Sequence, residues 1–352
     1  MAKLTELPSK ANRIFQNQGT WPLIWNGMKY TGIWDTIWNT VTSRYPIGEN
    51  VFHRDWDLLI ILDTCRVKSV KSLSDTRPWL DNIEYMQSVG SMSAEWMLNT
   101  FDKKYIDKIN KTAFVSGNIW SHRIFTERFH THSNHNYNMI NRGVPDWNPV
   151  SSESFAHYET VSAIENQNDP LHPQSEAIPH ILTDRAISVG RNKDFDRLIV
   201  HYTLPHLNFI ADALEWEFGE LSIQELMNGP DYTRKLKSEE VSYRPVKNGE
   251  VSYDAVRNHH VSNLRLALDY VDILIENVDA STTIISADHG EALGETGIWN
   301  HPYAYPMDPV KAVPWVELSA SDEQTYKSQH DQLIRDPNER EREEFLKQMR
   351  YL

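Results

Sequence analysis

Ile284-Ile285-Ser286-Ala287-Asp288-His289-Gly290-Glu291 is an apolar strand that breaks at a carboxylate, an imidazole and a glycine in immediate succession. A buried strand ending this way delivers two hard metal ligands to one point, and a carboxylate with a neutral imidazole suits Zn²⁺, Mn²⁺ and similar ions. The glycine behind them is expected to let the backbone turn sharply. Far upstream a second strand ends alike. Trp56-Asp57-Leu58-Leu59-Ile60-Ile61-Leu62-Asp63-Thr64-Cys65-Arg66 is an apolar run that stops at Asp63, with a hydroxyl, a thiol and a guanidinium directly behind. In open α/β sheets ligands collect at the carboxyl ends of strands, so the two acids point to one site. Taken singly, an Asp-His after a strand is more often a turn beside a surface histidine; the pairing carries the inference.

Around these strands the hydrophobic pattern alternates in kind. Residues 114–118 predict a short strand, 178–189 a helix, 197–203 a strand, 256–278 a long helix and 281–286 the strand into the metal motif. That order predicts an α/β fold with a doubly wound, mostly parallel sheet flanked by helices. A core domain over 51–320 is expected to carry inserted loops at about 121–177 and 211–252. The first is polar and contains His130, His132 and His135, more in keeping with a loop than a metal site; the second carries Trp216 and Phe218. Residues 321–352 form a charged tail with a helical pattern at 336–349.

Residues 1–50 form a tryptophan-rich lead-in. Trp21, Trp25, Trp34 and Trp38 recur with Leu23, Ile24, Ile33 and Ile37 at helix-like intervals. Such segments either lie in a membrane interface or pack on their own domain, so peripheral membrane contact is left open beside packing.

Composition narrows the function class. The chain has 352 residues, 40% hydrophobic and 24% charged, and a net charge of −14, ordinary for a globular enzyme. No basic cluster offers a footprint for nucleic acid, and no phosphate-binding glycine loop supports nucleotide-dependent kinase chemistry. The single cysteine demands no oxidising compartment. The opening residues lack the apolar core of a signal peptide, and no apolar run reaches the ~18 residues of a spanning helix. A soluble, cytoplasmic protein is therefore expected, with membrane or virion association as the alternative.

Asp288-His289-Gly290-Glu291-Ala292-Leu293-Gly294-Glu295, followed by Gly297-Ile298-Trp299 and His301, resembles the late motif of sulfatases and their relatives in the alkaline phosphatase superfamily. The strand ending at Asp63 is similar to that family's first metal acid, and His201-Tyr202-Thr203-Leu204-Pro205-His206 to its ester-binding segment. Val313-Pro314-Trp315-Val316-Glu317 sits where those enzymes return an apolar strand to the sheet. The nearest likeness is to sulfatase-like and phosphoglycerol-transferase-like proteins of archaea and their viruses. It implies a metal-dependent hydrolase or transferase of phosphate esters with a serine nucleophile. A lipid head group, a glycan or a small metabolite would suit as the ester.

On that resemblance the metal ligands are Asp63, Asp288 and His289, holding one divalent ion (Zn²⁺, Mn²⁺, Mg²⁺ or Ca²⁺). Tyr202 stands where a second centre would need an acid, so a second ion is a lesser alternative. The nucleophile falls in Ser88-Val89-Gly90-Ser91-Met92-Ser93-Ala94-Glu95-Trp96, where a serine-rich turn enters a helical pattern and the helix N-terminus favours an alkoxide and an anionic group. Ser91 is favoured for its spacing from Glu95-Trp96, with Ser93 the second choice. His206 and His301 are general-acid candidates and, with His201 and Arg66, substrate-binding candidates; Arg66 has a structural ion pair as its equal alternative. The sulfatase formylglycine signature is absent. A sulfate-ester hydrolase lacking formylglycine and an inactive fold serving as a binding or structural component are the remaining readings.

Overall fold

The computed structural model describes residues 27–28, 31–128, 140, 142–161, 179–192, 194–206, 211, 252–295 and 298–328. Leu58–Leu62, five apolar residues without alternation, forms β1 and is buried throughout. That is the pattern of a strand covered on both faces. Ile83–Gln87 forms β2, Thr112–Ser116 β3, His157–Thr160 β4, Arg197–Tyr202 β5 and Ala280–Ser286 β6. Ala292–Leu293 and Trp299–Asn300 pair as a short ribbon, β7 and β8, and Ala312–Ala320 is β9.

The main sheet has seven strands in the order β2-β9-β6-β1-β5-β3-β4. β1 lies between β5 and β6, parallel to both, and β3 and β4 continue the parallel set. Only β9 runs against the rest, pairing antiparallel with β6 and with β2. The fold is thus the mostly parallel, helix-flanked α/β sheet expected. Asp63, Asn118 and Asp288 follow the carboxyl ends of β1, β3 and β6, and His201 is the penultimate residue of β5.

Among the helices, Ile33–Thr42 is α1, Val67–Lys71 α2, Ser93–Thr100 α3, Pro179–Asn192 α4, Tyr253–Ile275 α5 and Asp308–Lys311 α6. The side chain of Ser252 caps α5 by accepting from the Ala255 amide at 3.2 Å. Two strands of the main sheet were not anticipated. β2 is a short edge strand whose Tyr85 faces solvent, and β4 comes from inside the segment expected to be inserted loop. The tail expected to be helical at 336–349 and the histidines at 130, 132 and 135 lie outside the described residues.

α1 settles how part of the lead-in is used. Trp38 is buried and Trp34 half-buried against the domain, while Ile33, Ile37 and Val41 face outward. Trp21 and Trp25 lie outside the described residues. Among the described residues no helix is long and apolar enough to cross a membrane.

Candidate active site

Four neighbouring strands aim polar groups at one point beyond the sheet. Nε2 of His289 lies 3.5 Å from Asp63 Oδ1 and 3.5 Å from Asp288 Oδ2, and Nε2 of His201 lies 3.5 Å from the same Asp288 oxygen. Asp63, His201 and Asp288 each offer a ligand atom within 4.8 Å of the others'. His289 Nδ1 faces the Gly290 carbonyl at 2.9 Å and must donate to it, which leaves the Nε2 lone pair directed at the carboxylates. All four side chains are buried.

The donor set fits a divalent cation. Asp288 Oδ2 and both ring nitrogens of His201 are buried and make no hydrogen bond among the described residues, whereas buried polar atoms are normally paired. Carboxylate oxygen with imidazole nitrogen is a ligand combination suited to Zn²⁺ or Mn²⁺. Burial pushes the Asp288 carboxyl upward, but His289, His201 and the Ser93 hydroxyl outweigh it and hold the group below the usual carboxylate range. Burial takes His289 down to about 4 against the pull of Asp288, so its ring is neutral near neutrality and able to ligate.

His201 belongs with the carboxylates. Sequence reading gave it to the ester-binding side, but its ring is wholly buried and packed between Trp96, at 5.5 Å, and Phe114, at 6.5 Å.

Of the two candidate serines, it is Ser93 that the structure brings to the carboxylates. Ser93, the first residue of α3, has its Oγ 3.4 Å from Asp63 Oδ2 and 3.3 Å from His289 Nε2. Ser91 is otherwise engaged: its amide and its hydroxyl both donate to Glu95 Oε2 at 2.7 Å, and the hydroxyl accepts from the Ala304 amide at 2.8 Å. The spacing that singled out Ser91 is therefore that of a carboxylate reaching back to the residues before its own helix, a relative of the capping box. Ser88 Oγ donates to the Asp288 carbonyl, tying the turn to the metal motif. Gly90 is needed for close approach, since a Cβ there would meet the Trp96 amide nitrogen at 2.3 Å.

Asn118 was not foreseen. Its Nδ2 donates to Asp63 Oδ2 at 2.8 Å and to Ser93 Oγ at 3.0 Å, while its Oδ1 accepts from the Trp120 amide. The available signal was its place two residues behind β3, the same relation to its strand as Asp288 to β6.

Behind Asp63 the backbone is held in an uncommon shape. Thr64 has φ 64°, a left-handed conformation that a β-branched residue rarely adopts. Buried His260 contacts the Thr64 carbonyl through Nε2 at 3.3 Å and so donates to it, and Nδ1 accepts from Ser69 Oγ at 3.3 Å. Burial lowers His260 to about 4. Cys65 is fully buried, and burial with the nearby Asp288 pushes its thiol up, so it is a packed residue.

The remaining candidates form the rim. His301 Nδ1 lies 2.8 Å from Glu291 Oε2, and its ring centroid lies 4.5 Å from that of His289 and 5.1 Å from that of His206, tilted against both. Burial raises the Glu291 carboxyl, but His301, His206 and His289 overcome this and lower it. Arg66 pairs with Glu295 at 2.5 Å and is nine-tenths buried, which realises the structural ion pair weighed for it. Tyr202, at the position that left a second centre in doubt, is buried with its hydroxyl 2.8 Å from Thr183 Oγ1.

No protein-family model matches the chain, and no curated protein matches it. Among solved structures it is similar to the soluble domain of lipooligosaccharide phosphoethanolamine transferase A from Neisseria meningitidis, at 16% identity and a TM-score of 0.42 over 76% of this chain and 77% of that one. The integral membrane protein of the same name and organism matches at 14% identity and a TM-score of 0.43, over 92% of this chain and 60% of that one. The C-terminal periplasmic domain of phosphoethanolamine transferase EptC from Campylobacter jejuni matches at 16% identity and a TM-score of 0.41, over 76% and 79% of the two chains. All three are bacterial, and the archaeal affinity expected from sequence finds no support in them.

Proposed function

We propose that this chain is a metal-dependent enzyme that cleaves or transfers a phosphate ester through Ser93. The observation that carries the reading is the convergence of Asp63, His201, Asp288 and His289 on the Ser93 hydroxyl at the N-terminus of α3. A divalent cation held by these four residues would polarise a phosphoryl oxygen and lower the effective pKa of a hydroxyl beside it.

The protein's own groups account for the remaining chemistry. Because Asn118 Nδ2 donates to Ser93 Oγ, the hydroxyl hydrogen is turned toward Asp63 Oδ2, the acceptor to which it leaves. Ser93 Oγ attacks phosphorus in line: the Oγ–P bond forms while the bond from phosphorus to the leaving oxygen breaks. The departing oxygen takes a proton from His301 or His206, the imidazoles at the rim. The first amides of α3 have no intrahelical partner and hold the phosphoryl oxygens. Water or an acceptor alcohol then attacks phosphorus and gives its proton to the rim imidazole, an O–P bond replaces the Oγ–P bond, and the serine oxygen takes back the proton left on Asp63. A lipid head group or glycan phosphate is the proposed substrate class. Phosphate is preferred to sulfate because Cys65, the one cysteine, is buried and outside any formylglycine signature.

Incubation of the metal-loaded protein with chromogenic phosphate mono- and diesters, followed by peptide mass spectrometry, tests this reading. The expected result is turnover with phosphate trapped on Ser93, and loss of both in Ser93→Ala. Turnover that survives in Ser93→Ala would overturn the assignment.

A further inference from the structure

Helix α1 stands outside the proposed chemistry, yet its two tryptophans end in the site's framework. Trp38 Nε1 donates to Glu95 Oε1. The other oxygen of Glu95 accepts from the Ser91 amide and hydroxyl, and Ser91 Oγ in turn accepts from the Ala304 amide at 2.8 Å. The Ala304 carbonyl accepts from Trp34 Nε1 at 2.7 Å. Trp34 and Trp38 are one turn apart on α1, with ring centroids 5.7 Å apart, so the path returns to its start.

We propose that this closed ring of hydrogen bonds makes Trp34 and Trp38 positioning residues, which lock the serine turn to the His301 loop. Three chain segments meet in it, and each needs outside support. The serine turn carries Ser93 two residues beyond Ser91. The His301 loop contains Ala304, which has φ 60° although it is not glycine and is completely buried. A backbone in that region persists only where its surroundings hold it. Glu95 is completely buried in the first turn of α3, and its orientation is set by the indole and the serine together. Tyr303, next to Ala304, adds a parallel link by donating to Asn39 of α1.

Packing alone does not require these polar atoms. Phenylalanine would fill much of either indole volume without donating a hydrogen bond, so removing one N–H separates positioning from burial. The ring contains Ser91, which explains why that serine is buried and doubly hydrogen-bonded although Ser93 faces the carboxylates. The catalytic consequence rests on the phosphoester reading, whereas the ring's structural coupling does not.

The test uses the full-length, metal-loaded protein with Trp34→Phe, Trp38→Phe and the double variant. Metal stoichiometry, amide hydrogen exchange over 88–93 and 299–305, and steady-state kinetics are measured together. Each single variant is expected to keep its metal and to raise exchange in both segments. The double variant is expected to be little worse than the more severe single one, because both break the same ring. With an ester that the wild type turns over, kcat is expected to fall about tenfold while KM stays within about twofold. Exchange that rises only within 33–42, or additive effects of the two substitutions, would overturn the proposal. If the wild type cleaves no ester, the exchange result alone decides the ring, and the phosphoester reading fails separately.

Discussion

In the proposed mechanism Ser93 and Asn118 form the smallest unit that decides the chemistry. Asn118 Nδ2 reaches both Ser93 Oγ and Asp63 Oδ2, so one amide fixes the serine rotamer against the carboxylate. Asn118→Ala is therefore expected to lower kcat about 100-fold with little change in bound metal, measured by kinetics beside metal analysis. An unchanged kcat would remove Asn118 from the mechanism. His260 and His289 give the site a pH limit in the metal-free chain. Each is held neutral by burial and titrates near 4 in the folded chain, against an ordinary value of 6.5. Between those values the unfolded chain binds more protons than the folded one, so stability rises with pH across the window. It is complete above about 6.5 and is lost as pH falls toward 4, by about 3 kcal/mol at most for each histidine. Urea midpoints of metal-free protein at pH 4.5, 5.5 and 7 should fall toward the acid end. His260→Asn should flatten that slope by about half if the two contributions are equal. A midpoint insensitive to pH would contradict the buried neutral assignment.

Secondary elements were legible where their burial made a continuous signal. β1 and β6 are apolar runs ending in acids, and β5 and β9 were read for the same reason. β2 and β4 are edge strands with mixed exposure, so their sequences carry no comparable pattern. The candidate site was legible as ligand types at strand ends, which named Asp63, Asp288 and His289, three residues that lie together in the fold. Which serine faces them depends on where Glu95 reaches back, a contact that residue spacing does not reveal. That His201 lies among the carboxylates was not legible, because its burial behind Trp96 is a property of packing between strands. The glycine after Asp288-His289 was expected to serve a sharp turn. Gly290 is instead needed because a Cβ would meet the Pro309 carbonyl of α6 at 2.4 Å. Gly90→Ala and Gly290→Ala, each forcing a methyl onto backbone atoms, should each destabilise the fold by about 2 kcal/mol or more in chemical denaturation. Wild-type stability in either variant would show that the neighbouring segment yields freely.

Across the whole molecule, the carboxyl ends of the sheet's central strands β6, β1, β5 and β3 gather groups from residues 63 to 289, and His301 joins them from beyond the β7-β8 ribbon. Their convergence explains why the buried carboxylates of Asp63 and Asp288 and the imidazoles of His201 and His289 occur together, where burial without compensation would be costly. The account's central claim is that these four residues hold a metal ion beside Ser93. Metal content by mass spectrometry tests it most directly, on protein purified without chelator or affinity metal, for the wild type and Asp288→Ala side by side. The account predicts about one equivalent of a divalent transition metal in the wild type and its loss in the variant. No metal in the wild type even after reconstitution, or equal metal in both proteins, would contradict it.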